Sequence, residues 1–67
     1  MNLNRLKGEI VAVYGTQNNF ANAINWDYRK VSKMVTGKYV PDINEVAEIS
    51  KALNLSMDTY QTIFILP

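Results

Sequence analysis

Apolar residues recur at helical spacing along this chain, in segments separated by glycine, asparagine or proline. The first segment predicts an amphipathic helix over Leu3–Tyr14, with Asn2 as a candidate N-cap and Gly15 as its end. Gly8 weakens this helix by up to ~1 kcal/mol relative to alanine. We interpret Gly8 as a point where a neighbouring helix approaches closely. The apolar face of the predicted helix carries Leu3, Leu6, Ile10, Val13 and Tyr14.

The next segment predicts two short helices that meet at a tight corner. The first of them begins at Thr16, whose hydroxyl can accept a hydrogen bond from a free amide of the opening turn. Asn25 is predicted to make the corner, because asparagine tolerates the left-handed conformation that such a turn often needs. The inward face of this helix is predicted to hold Phe20, Ala21 and Ile24.

The second helix of the pair begins at Asp27, whose carboxylate can act as its N-cap. Trp26 precedes the cap and is placed to pack against Val31 as a hydrophobic staple. The inward stripe of this helix consists of Val31, Met34 and Val35. The opposite face, which points outward, carries Tyr28, Arg29, Ser32, Lys33 and Thr36.

A fourth helix is predicted after Gly37, the left-handed stop of the third, and a tight loop over residues 38–41. Asp42 and Glu45 form a capping-box pattern, so the helix runs from about Ile43 to Leu53 and Asn54 ends it. Helix capping also explains these two carboxylates better than acid–base chemistry does. The positions that recur at helical intervals in this segment are Ile43, Val46, Ala47, Ser50 and Leu53.

The C-terminal segment is compatible with more than one structure. Ser56 can cap a short fifth helix, with Met57, Tyr60 and Phe64 on one face. The apolar run that follows could extend this helix, form a strand, or cover the core of a partner. It consists of Ile63, Phe64, Ile65 and Leu66.

Composition narrows the function classes. The chain has 67 residues, which predicts one domain over residues 1–67, and it contains neither histidine nor cysteine. The usual proton shuttle, thiol nucleophile and soft metal ligands are therefore missing, so we expect neither an enzyme nor a metal or cofactor site. No apolar run approaches the ~20 residues that cross a membrane, and no secretory signal is visible. We therefore expect a cytoplasmic protein.

The net charge of +1 is small, but its distribution is uneven. Residues 41–67 carry −3, from Lys51 against two aspartates and two glutamates. Residues 25–40 carry +3, from the basic residues Arg29, Lys30, Lys33 and Lys38 against Asp27. Positive charge is thus concentrated on the third helix and the loop after it, a distribution typical of nucleic-acid binding.

The central segment resembles the helix-turn-helix proteins related to phage repressors and Cro (XRE-like proteins), and the resemblance extends over roughly Leu6 to Tyr60. One position departs from the family pattern, because Asn25 stands where the family usually has glycine. The resemblance implies an all-α bundle of five short helices with a central helix-turn-helix, the lambda-repressor-like class. The matching positions are Gln17, Phe20, Ala21, Ile24, Trp26, Val31, Met34, Gly37 and Lys38.

The resemblance implies sequence-specific transcriptional regulation by a small phage or prophage repressor that acts by operator occupancy. We expect double-stranded DNA as the partner, with the third helix in the major groove and Trp26 in a structural role. The residues predicted to face base edges are Asp27, Tyr28, Arg29 and Lys33. Those predicted to contact phosphates are Gln17, Asn18, Lys30, Thr36, Lys38 and Tyr39.

Two other interpretations share this fold. In one, the protein is an interaction module whose apolar C-terminal end binds another phage regulator; the low net charge slightly favours it. In the other, it is a regulator paired with a toxin or an anti-defence gene, with the same DNA mechanism and different genomic neighbours. For the repressor itself we expect a homodimer, at least on DNA, since one small domain reads only a few base pairs. The predicted dimer or partner contacts are Ile63, Phe64, Ile65 and Leu66.

Overall fold

The computed structural model describes residues 1–66, and these residues form helices and connecting turns without a β-strand. The predicted all-α class is therefore confirmed. The helices are α1 Leu3–Tyr14, α2 Gln17–Ile24, α3 Tyr28–Val35, α4 Ile43–Ala52 and α5 Met57–Tyr60, followed by a π-helical turn, Gln61–Ile65. The α4 helix ends at Ala52, one residue before the predicted boundary, and Leu53 is its C-cap.

Each α-helix begins at the N-cap that the sequence predicts. In every case the cap side chain accepts a hydrogen bond from a backbone amide of the first turn, which satisfies a donor that has no carbonyl within the helix. At α4 the capping box is complete, with Asp42 Oδ1 and Glu45 Oε1 each accepting the other residue's backbone N–H at 2.8 and 3.0 Å. The five caps are Asn2, Thr16, Asp27, Asp42 and Ser56.

The predicted corners are also found. Asn25 and Asn54 have φ of 61° and 51°, and Gly37 has φ of 82°, so all three lie in the left-handed region. Asn25 therefore provides the turn that glycine usually makes.

No helix in residues 1–66 has the length and apolarity that crossing a bilayer requires.

The core is built from one face of α1, both central helices, α4 and the π-helical turn. Not every apolar position with helical spacing lies in this core: Val13 is 51% exposed and Ile43 82% exposed, and Ala47 is exposed as well. The buried apolar residues are Leu6, Ile10, Phe20, Ala21, Val31, Met34, Val35, Ile49, Leu53 and Ile63.

The α4 helix shows why periodicity alone does not decide which face is buried. The apolar positions at helical spacing begin at Ile43, but positions 46, 49, 50 and 53 form a set with equally good helical spacing. Ile49 is completely buried, whereas Ile43 lies at the surface. The face that turns inward is decided by how α4 packs against α2, which local spacing does not specify.

Gly8 does not serve the predicted close approach. An ideal Cβ atom built at Gly8 would meet no atom of residues 1–66 within 4 Å, and the residue is exposed. That prediction was therefore wrong, since no other helix in the part of the chain that the structure describes passes over this position.

The C-terminal run extends the helix as a π-helical turn, so the strand alternative is wrong. Ile63 is completely buried, and its carbonyl accepts a hydrogen bond from the Asn2 amide at 2.7 Å. Phe64 is half-buried, with its ring centroid 5.6 Å from that of Tyr60. The turn thus closes the core beneath the start of α1.

Candidate nucleic-acid interface

The α2 and α3 helices meet at a turn formed by residues 25–27. The Trp26 amide donates to the Ala21 carbonyl at 2.8 Å, and the Asn25 amide donates to Asn22 at 3.3 Å. Ala21 is 1% exposed, and its small side chain allows the two helices to cross closely. These backbone bonds hold the angle at which α3 leaves the turn.

The N-terminus of α3 is held by Asp27. Its Oδ1 accepts hydrogen bonds from the backbone amide of Arg29 at 2.7 Å and from the Arg29 Nε at 3.3 Å. The side-chain bond and then the backbone bond from Arg29 lower the pKa of Asp27 below its ordinary value. Asp27 thus remains an anion that caps the helix and orients Arg29.

The outward face of α3 is placed as the sequence predicts, with one difference. Tyr28 is 48% exposed, and the Arg29 side chain is 86% exposed while its Nε donates to Asp27. Lys33 is also exposed, whereas Ser32 is half-buried at the edge of the face. Three of the four predicted base-facing side chains are therefore available on one surface, beside the Asp27 cap.

An open groove of about 570 Å³ joins this surface to the N-terminus of α2. It is lined by Gln17 and Asn18, both predicted phosphate contacts, by Tyr28 from the base-facing set, and by Thr16 and Val11. The backbone amides of Gln17 and Asn18 belong to the first turn, where no helical carbonyl can accept from them. The fold therefore brings two of the predicted phosphate contacts beside Tyr28. Val11 was missed, because it lies on the polar side of α1 in the sequence pattern and only the packing of α1 against α2 places it here.

The loop after α3 is tied to the end of that helix. The Lys33 carbonyl accepts hydrogen bonds from the amides of Lys38 and Tyr39 at 2.8 and 3.2 Å. Lys38 is exposed. The Thr36 hydroxyl donates to the Ser32 carbonyl at 2.9 Å, so its proton is already used.

Lys30 and Tyr39, also predicted phosphate contacts, direct their polar groups toward Glu45. The Lys30 Nζ lies 2.5 Å from Glu45 Oε2, and the Tyr39 hydroxyl donates to Glu45 Oε1 at 2.5 Å. The hydrogen bonds from Lys30 and Tyr39 lower the pKa of Glu45 to about 2. The bond to Glu45 likewise raises the pKa of Lys30 above its ordinary value.

Trp26 belongs to the same cluster. Its ring centroid lies 4.1 Å from the Lys30 Nζ, and its Nε1 donates to Glu48 at 3.1 Å. The Tyr39 ring meets it edge-on, with the ring centroids 6.5 Å apart. The indole thus contacts residues of its own chain on several sides.

Among residues 1–66, no three histidine, cysteine, aspartate or glutamate side chains are grouped as a metal site would need.

The family described as "Protein of unknown function (DUF739)" matches residues 1–65. The chain belongs to this family. No curated protein and no solved structure matches it.

In this DUF739 protein a second groove, of about 360 Å³, lies on other residues. Val40, Ile43 and Ile65 are its most exposed apolar members, at 78%, 82% and 62%. Of the predicted dimer contacts, Phe64 and Ile65 line this groove, Leu66 is exposed outside it, and Ile63 is wrong because it is buried in its own core. The groove is lined by Met1, Val40, Pro41, Ile43, Val46, Tyr60, Phe64 and Ile65.

Proposed function

We propose that this DUF739 protein binds double-stranded DNA sequence-specifically and regulates transcription by occupying its site, as a small phage or prophage repressor of the Cro kind would. The observation that supports this most directly is the groove shared by the N-terminus of α2 and the exposed face of α3. It gathers backbone amides, amide side chains and a tyrosine on one surface. Basic side chains of α3 continue that surface.

In the proposed complex α3 enters the major groove, which is wide enough, at about 12 Å, to admit a helix. Arg29 and Lys33 donate to guanine O6 and N7, the commonest specific contacts of basic side chains. Tyr28 and Asp27 face neighbouring base edges from the first turn of the helix. A recognition helix that presents its N-terminal residues to the bases is the usual arrangement in helix-turn-helix proteins.

Phosphate contacts hold the protein in register but do not read sequence. Gln17 and Asn18 supply them at the N-terminus of α2, where free amides and the helix dipole attract an anion. Lys38 supplies a cation on the other side of α3, next to Thr36. This small set of contacts suits the low net charge and should give a shallow dependence of affinity on salt.

Selection of bound duplexes from a random pool tests the proposal. We expect a recovered motif with two-fold symmetry, since a symmetric pair of proteins would read two half-sites about 34 Å apart. The Arg29→Ala, Lys33→Ala double variant is the matched control and should recover no motif. Failure of the wild type to enrich any sequence, even at low salt, would refute DNA reading.

A second function, as a protein-interaction module that binds another regulator, is favoured by the second groove. The side chains that line it are uncharged, and several of the apolar ones are largely exposed, as at protein-binding sites. The variants Ile43→Asp and Ile65→Asp separate the two functions. Loss of regulation in cells with unchanged affinity for the selected duplex would support the interaction module, whereas loss of both would support a second copy bound at this groove.

A further inference from the structure

Lys30 differs from the other basic residues of α3 in where its charge is held. Its ammonium lies between the Glu45 carboxylate, at 2.5 Å, and the ring of Trp26, at 4.1 Å. The Tyr39 ring centroid is 5.3 Å from the same nitrogen. A carboxylate on one side and two aromatic rings on the others form a complete binding site for an ammonium group.

Lys30 is much less exposed than Arg29, its neighbour in sequence. The side chain of Lys30 is 37% exposed, against 86% for Arg29, and that of Glu45 is only 14% exposed. If Lys30 turned away to reach a phosphate, it would leave a largely covered carboxylate without its cation. Such a separation is unfavourable, because the abandoned group has lost water and gains no other partner.

The cluster also determines the position of the loop that carries Lys38. Tyr39 is held twice, through its amide to the Lys33 carbonyl at 3.2 Å and through its hydroxyl to Glu45. Lys38 immediately precedes this doubly held residue, and its own amide is bonded to Lys33. The loop is therefore anchored to α3 on one side and to α4 on the other.

We propose that Lys30 is a positioning residue: its ammonium, held by Glu45, Trp26 and Tyr39, fixes the Lys38 loop against α3 and contacts no phosphate. This inference rests on the proposed DNA binding. It assigns Lys30 and Tyr39 a different part in that binding from the phosphate contacts that the sequence predicts. Lys38 then remains as the phosphate contact of this loop.

The test compares how affinity for one selected duplex depends on salt in four proteins: wild type, Lys30→Met, Glu45→Gln and Lys38→Met. Losing one phosphate contact reduces the slope of log affinity against log salt by about 0.9 in magnitude. We expect that reduction for Lys38→Met and the wild-type slope for Lys30→Met. Lys30→Met should still weaken binding, by about fivefold at most if the loss is that of one partly exposed ion pair.

Glu45→Gln separates the two roles by the sign of its effect. Glutamine can still accept the capping bond from Asp42, but it no longer holds the ammonium. If Lys30 is a positioning residue, Glu45→Gln should bind the duplex more weakly, and the slope of log affinity against log salt should not change. If Lys30 instead contacts a phosphate, the loss of the Glu45 charge frees its ammonium for that contact. Glu45→Gln would then bind the duplex more tightly, with a steeper slope.

Trp26 is the only tryptophan in the chain and reports on the cluster without DNA. Its fluorescence should change in Lys30→Met while the circular dichroism spectrum stays that of the wild type. An unchanged emission spectrum, or a slope reduced as much in Lys30→Met as in Lys38→Met, refutes the role of Lys30 but leaves the proposed DNA binding intact. If the wild type binds no duplex, both the proposed function and this inference are wrong.

Discussion

Gly8 and Gly37 show how differently two glycines of one small protein constrain their neighbours. Gly8 lies at an exposed position in the middle of α1, and a Cβ atom there would have free space. At Gly37 the backbone has φ of +82°, and a Cβ atom would lie 3.2 Å from the Leu3 Cδ1. The first position gains from a side chain, whereas the second is strained by one.

We therefore expect Gly8→Ala to raise the free energy of unfolding by about 0.5–1 kcal/mol, since alanine loses less backbone entropy in a helix. The matched variant Gly37→Ala should lower it by about 1–2 kcal/mol, because the left-handed conformation is unfavourable for alanine. Urea titration of both variants measures the two changes. A Gly8→Ala protein no more stable than the wild type would contradict the open environment at this position.

Arg29 and Lys33 are the residues on which discrimination between DNA sequences should depend. Both are exposed, and they lie about one turn apart on α3. We expect Arg29→Ala and Lys33→Ala each to cost ~1–3 kcal/mol in binding of a selected duplex relative to random DNA. Competition binding measures this difference, and the helical content should not change. Selected-site affinity equal to that of the wild type in both variants would show that α3 does not read bases.

At the scale of elements, Glu45 links α3 to α4 while it completes the α4 capping box. Its pKa in the folded protein is about 2, against an ordinary value of 4.5. A carboxyl group with a lowered pKa binds fewer protons when folded than when unfolded. Its contribution to stability is therefore present above about pH 4.5 and is lost as the pH falls toward 2.

We expect the wild type to be more stable than Glu45→Gln at pH 7, with the difference shrinking between about pH 5 and pH 2. Urea midpoints at pH 7, 4.5 and 2.5 measure it. In the Lys30→Met background the same comparison should depend less on pH, because the main cause of the lowered pKa is gone. A difference that stays constant with pH would mean that Glu45 acts only through its capping bonds.

Element boundaries followed from the sequence more closely than element faces. Thr16 and Asp27 act through amides in the next turn, and Asn25 acts through its own backbone, so short-range chemistry was enough to place them. The inward face of α4 was different. Ile43 and Ile49 both suit a helical apolar stripe, and the choice between them depends on contact with another helix.

At the scale of the whole molecule, the apolar groove lies on residues separate from the groove at the N-terminus of α2. Within residues 1–66 the groove is lined by eight residues. A standard interface buries about 800 Å² per partner and involves about 20–30 residues on each side. A second copy seated on this groove alone would therefore form a weak dimer, stabilised when two copies occupy adjacent half-sites.

We expect the wild type to bind the selected duplex as two copies. The Ile43→Asp, Ile65→Asp double variant should bind it as a single copy and more weakly. Sedimentation with and without the duplex measures the stoichiometry at micromolar protein. Met57→Asp is the control, since Met57 is 69% exposed but does not line the groove. Two copies of the double variant on one duplex would show that the dimer forms elsewhere.

The sequence by itself determined the class of fold, the helix starts, the left-handed corners and the outward direction of Arg29 and Lys33. These features depend on interactions within a turn or two of the chain, which local residue order specifies. The tertiary structure alone decided that Ile63 closes the core and that Lys30 and Tyr39 meet at Glu45. Ile63 and Lys30 meet partners distant in sequence, and the contact of Tyr39 with Glu45 depends on where the loop meets α4. Neither an apolar run nor a basic side chain shows which partner will cover it.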